Sequence, residues 1–158
     1  MKTRVPPPRP EYLKFLQPYG REIAELALAT RTLALEEAPD STELIYDAYN
    51  AVATGYSFTG RPSDSFIHIA VYSQWVNLGF NRGSELADPQ GLLQGSGRLI
   101  RHIKISQPGD LERPMIRELV RAAIARAKRP KGDKSGTKYG SVVRAVYARK
   151  RRPAARRR

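Results

Sequence analysis

Apolar residues recur at helical spacing early in the chain. Ile23, Leu26, Ala27, Thr30, Leu33 and Ala34 fall at the i, i+3, i+4 and i+7 positions of one buried face. The pattern predicts a helix over 18–37, with Pro18 at its first position and Pro39 as its stop. Ahead of it, residues 11–16 allow one helical turn, and Gln17 is disfavoured in helical geometry by the proline that follows. Beyond Pro39, Asp40 or Ser41 is placed to cap a short second helix through Tyr46.

The period then changes from helical to alternating. Residues 51–58 (AVATGYSF) and 66–75 (FIHIAVYSQW) read as strands, with Arg61, Pro62, Ser63 and Asp64 as the turn between them. Phe66, His68, Ala70 and Tyr72 share one face of the second run, and Ile67, Ile69 and Val71 share the other. Both faces are substantially apolar, which predicts a central strand. The run 76–80 (VNLGF) follows across a tight hairpin at Ser73–Trp75.

Glycines and prolines mark 81–98 as a long structured loop, and 99–105 (LIRHIKI) as a fourth strand. Asp110 is placed to cap a last helix, with Pro114 in its first turn. Its apolar stripe is Ile116, Leu119, Val120, Ala123 and Ala127, ending near Lys128. Residues 141–148 (SVVRAVYA) have the composition of a further short strand.

Helix, antiparallel strands, helix is the order of an α+β domain. The expected architecture is an antiparallel sheet of about four strands with two main helices on one face. A proline-rich arm over 1–10, carrying Pro6, Pro7, Pro8 and Pro10, reads as a frayed terminus. The domain is expected over 11–128 and a largely disordered basic tail over 129–158.

Charge sharpens that division. Residues 128–158 hold 13 of the 28 Lys and Arg but one of the 15 acids, Asp133, so the segment is +12 and the remainder about +1. Such a tail favours polyanions: nucleic acid, an anionic membrane surface or an acidic protein, with nucleic acid the leading expectation. Arg149, Lys150, Arg151, Arg152, Arg156, Arg157 and Arg158 are spaced for phosphates rather than base edges. There is no cysteine, which excludes disulfides, thiolate metal sites and cysteine nucleophiles. The start, MKTRVPPPRP, has no apolar stretch of a signal peptide, and no run reaches the ~18 apolar residues of a membrane span. A cytoplasmic protein is expected.

Candidate chemistry is sparse. Glu36, Glu37, Asp40, Glu43 and Asp47 form the one acidic cluster, readable as a solvated helix end, a carboxylate metal patch or a docking surface for the basic tail. Gly95 and Gly97 with Arg98 and Arg101 suggest an anion-binding loop, yet the loop leads into a strand and not a helix N-terminus. His68 and His102, both on strands, lack a carboxylate at ligand spacing. Tyr72, Trp75, Phe80, Tyr56 and Phe58 suit a core as readily as a ligand cleft. No G-x-S-x-G motif or Ser-His-Asp set is present, so no enzyme activity is expected.

The strings VNLGFNRGSEL (76–86), DPQGLLQGSGR (88–98) and RHIKI (101–105) give the chain a familiar cast. With EEAPD (36–40) and the helix after GDLERP (109–114), it resembles the YdhG-like family over about 11–128. The resemblance implies a compact α+β domain of mostly unknown role, with no catalytic set to carry over and no required cofactor. One branch is described as frataxin-like iron chaperones. By that analogy, iron held by Glu36, Glu37, Asp40, Glu43 and Asp47 is the alternative to nucleic-acid binding by the tail.

Overall fold

The computed structural model describes residues 4–131 and 139–150. It is an α+β fold. Helix α1 spans Pro10–Leu16 and α2 spans Arg21–Glu37. Five strands follow: β1 (Thr42–Asp47), β2 (Val52–Ser57), β3 (Ile67–Val71), β4 (Val76–Phe80) and β5 (Arg101–Ile105). Helix α3 (Pro114–Arg126) and strand β6 (Gly140–Val146) complete the order.

Pro18 does not open the long helix. It lies in a 3-10 turn, Gln17–Tyr19, and Gly20 with φ +88° breaks the path before α2 starts at Arg21. Only glycine takes that conformation without strain. Asp110 caps a 3-10 turn, Pro108–Glu112, by accepting from the backbone N–H of Ser106 and Gln107; α3 begins later, with Pro114 at its start.

The sheet has six strands in the order β5-β4-β3-β2-β1-β6. Strands β1 to β5 form an antiparallel meander, and β6 adds parallel to β1 at the far edge. A parallel neighbour requires a crossover, which here runs through α3. Two strands exceed the sequence expectation. Thr42–Asp47 is a strand rather than a short helix, because Glu43, Ile45 and Asp47 alternate with Thr42, Leu44 and Tyr46 across the sheet. The other is β6, which lies within the segment read as tail, over residues the composition had marked as strand-compatible.

The three α-helices pack on one face of the sheet. That face presents Ile45, Val52, Tyr56, Ile69, Leu78 and Ile105 to Leu16, Leu26, Leu33, Ile116 and Leu119, all buried. The predicted alternation of β3 holds, with Ile67, Ile69 and Val71 in this core. Among the described residues, the other face carries no helix. Gly79 is required there: an added Cβ would lie 2.0 Å from Nε2 of His68, which faces it across the β3–β4 ladder.

Candidate functional site

Glu43 is completely buried, on the helix-facing side of β1. A carboxylate in that position is tolerated only with charged and hydrogen-bonding partners. Arg31 of α2 supplies the charge, with Nε 2.8 Å from Oε2. Oε2 also accepts from the Tyr56 hydroxyl at 2.9 Å. Oε1 accepts from Tyr139 at 3.2 Å and from Ser141 at 3.0 Å. Burial first, and then the Glu43 charge, pushes the phenols of Tyr12, Tyr56 and Tyr139 upward, so they stay protonated, and Tyr56 and Tyr139 donate to Glu43. Burial acts to lower the Arg31 pKa, but Glu43 overcomes it and the guanidinium is held more firmly charged.

The node reaches both ends of the described chain. Arg31 Nη1 donates to the carbonyl of Pro6 at 2.8 Å, and Nη2 donates to the Tyr139 hydroxyl at 3.1 Å. Arg9 Nη1 donates to the Ser141 carbonyl at 2.9 Å. The proline arm is therefore not frayed at residues 5–9, where Val5 also packs against the core. Sequence reading missed this set because an arginine beside Thr30 looks like a solvated helix position. Its signal was spacing: Arg31 stands four residues from both Ala27 and Leu35, on the buried face.

The remaining acids of the cluster disperse. Glu36 and Glu37 turn to α3, where Arg117 and Arg121 meet them at 3.3 Å and 2.8 Å. Asp40 takes Arg129 at 3.0 Å, and Asp47 takes Lys150. Glu36, Glu37, Asp40, Glu43 and Asp47 thus do not converge as a ligand set. Among the described residues no group of three or more His, Cys, Asp or Glu is arranged to hold a metal. Of the five acids only Asp40 and Asp47 take a cation from the segment read as tail; Glu36 and Glu37 are met from α3 and Glu43 from α2.

The glycine loop is organised around its own carbonyls. Arg101 Nη1 donates to the carbonyls of Gly97 and Ile100, so this guanidinium is turned inward. Gly95, with φ +126°, sits where an added Cβ would meet the Ile100 carbonyl at 3.2 Å. Arg98 stays exposed. The loop residues Gly95, Gly97, Arg98 and Arg101 are close in space, but Arg101 serves the loop rather than an anion.

His68 and His102 do share a face, separated by Gly79 of β4. Nδ1 of His68 lies 2.9 Å from Asn81 Oδ1. With the amide oxygen accepting, the ring carries its proton on Nδ1. Burial lowers the His68 pKa against the pull of that bond. Of the aromatic residues, Phe58, Tyr56 and Phe80 are core. Tyr72 and Trp75 stack on the other face at 5.3 Å, with Lys104 Nζ 4.3 Å from the indole centroid.

The C-terminal basic segment leaves the sheet at a defined point. Beyond β6, the Tyr147 N–H donates to the Asp47 carbonyl at 2.9 Å, and Lys150 bonds the Asp47 side chain. Tyr49 and Tyr147 stand 43% and 51% exposed around that end of β1. Arg144 and Arg149 are exposed and make no ion pair among the described residues. Arg151, Arg152, Arg156, Arg157 and Arg158 lie outside the described residues. No helix of the described residues is long and apolar enough to cross a membrane. No family model matches the chain, and no curated protein or solved structure matches it.

Proposed function

We propose that this is a non-enzymatic, cytoplasmic, YdhG-like protein that binds nucleic acid through its C-terminal basic segment. One observation supports it above the others: the +12 segment is stitched into the sheet by β6. The cations that follow β6 start from a fixed edge beside two exposed tyrosines, Tyr49 and Tyr147. Cations neutralise phosphates without reading sequence, and exposed aromatic rings stack on unpaired bases. Single strands are therefore the preferred form. Arg129 and Lys150 are occupied by Asp40 and Asp47, so the log–log salt slope should be no steeper than about −8 on single strands.

The test is fluorescence anisotropy with labelled single-stranded and duplex DNA of about 20 nucleotides, over about 50–300 mM salt. The full chain is compared with a full-length variant in which Arg149, Arg151, Arg152, Arg156, Arg157 and Arg158 are glutamine and Lys150 is kept. Steep, salt-dependent binding lost in that variant supports the reading. Binding that ignores salt, or that survives the six substitutions, overturns it. Iron delivery, the alternative implied by the resemblance, would require Glu36, Glu37 and Asp40 to exchange arginine partners for metal.

A further inference from the structure

At one end of the sheet, the β2–β3 connection, the loop before β5 and the C-terminal end of α3 enclose a cleft of about 680 Å³. That volume is in the range of small-molecule sites, ~300–1,000 Å³. Its apolar wall is built from Phe66, Phe80, Leu86, Leu99, Ile100 and Ala123. Ile100 is 53% exposed, so part of this wall is left to water. The rim is cationic: Arg82, Arg98, Arg126 and Lys128.

These four cations are not equivalent. Glu85 holds Arg82 at 2.6 Å and Arg126 at 3.2 Å. The Arg82 hydrogen bond is the main reason its carboxyl is lowered to about 2, so it stays ionised and offsets that side of the rim. Asp64, the acid in the lining, accepts from the Thr59 hydroxyl at 2.7 Å. Arg98 and Lys128 are exposed and make no ion pair among the described residues. They are the two charges left for an incoming group.

We propose that this cleft binds a small organic anion, a carboxylate carried on a hydrocarbon body, with the body against Phe66, Leu99 and Ile100 and the head on Arg98 and Lys128. A neutral hydrocarbon would cover the wall and leave the cations without a partner. A phosphate polymer would meet the cations and leave the wall wet. The amphiphilic anion satisfies both surfaces. The site takes Lys128 from the start of the basic segment but none of the cations beyond it, and it does not depend on nucleic-acid binding.

The test is an amide NMR titration of the full chain with octanoate and, separately, octanol, each to about 3 mM. Octanoate should shift the amides of Phe66, Leu99 and residues 123–128 saturably, and octanol should bind roughly tenfold more weakly. R98Q together with K128Q should weaken octanoate about tenfold and leave octanol unchanged. I100D, at an exposed position, should weaken both. No saturable shift, equal binding of the two probes, or indifference to the R98Q and K128Q pair overturns the proposal. The paired surface variant still decides the matter if I100D disturbs folding.

Discussion

Arg31 and Glu43 meet in the core with Nε 2.8 Å from Oε2, and neither side chain is more than 2% exposed. The pair joins α2 to β1, and through Pro6, Tyr139 and Ser141 it holds both ends of the described chain to one point. Removing one partner strands a buried charge. Arg31→Met should cost about 3–5 kcal/mol in urea denaturation, whereas Arg31→Met with Glu43→Gln should recover part of that loss. A double-mutant cycle measures the coupling, and additive losses would rule out the pair as the unit.

Strand β6 supports that node from the other side. A chain ending at residue 138 lacks Tyr139 and Ser141, two donors to Glu43. Each lost donor to a buried carboxylate should cost about 1–3 kcal/mol. The denaturation midpoint of that truncation, set against a chain ending at residue 150, checks it. Equal midpoints would mean that β6 adds nothing to stability.

Gly79→Ala should destabilise by about 1–3 kcal/mol, because the new methyl falls on the His68 imidazole and that ring must leave Asn81. The loss should be smaller when His68→Ala is combined with it, since the obstruction is then gone. The two denaturation midpoints distinguish these outcomes.

His68 also sets a pH dependence. Its folded pKa lies below the ordinary 6.5, chiefly through burial, so the unfolded chain binds the proton more readily. The stability is fully present above about pH 6.5 and declines as pH falls from there toward the folded pKa. His68→Gln should flatten that part of the profile below about pH 6.5. Parallel profiles for the two proteins would assign the slope to other groups.

Ferrous iron, titrated anaerobically by calorimetry, should give no heat that depends on Glu36, Glu37 and Asp40. Each faces an arginine, Arg117, Arg121 or Arg129. Heat abolished by charge removal at those three positions would restore the iron reading.

Much of the body was legible in the chain. Alternation at Ile67, Ile69 and Val71 and the stripe at Ile116, Leu119, Val120 and Ala123 named core faces correctly, because periodicity alone decides which side of an element is apolar. Segment 42–47 was not legible. Two of its three core-side positions are Glu43 and Asp47, and acids read as solvated until a partner distant in sequence neutralises them. The strand composition of 141–148 was legible, but Lys and Arg density around it hid that β6 joins the sheet, with Val143 against the core.

Local spacing and composition were enough for most of the helix-and-strand order, the inward faces of the central strands and the +12 charge at one end. Folding in three dimensions was needed to show that Arg31 pairs with a buried Glu43, that Glu36, Glu37, Asp40 and Asp47 are taken by arginines and Lys150, and that Phe66, Arg98 and Lys128 share one cleft. Each of these joins residues far apart along the chain, and no local period records which distant charge will neutralise a buried one.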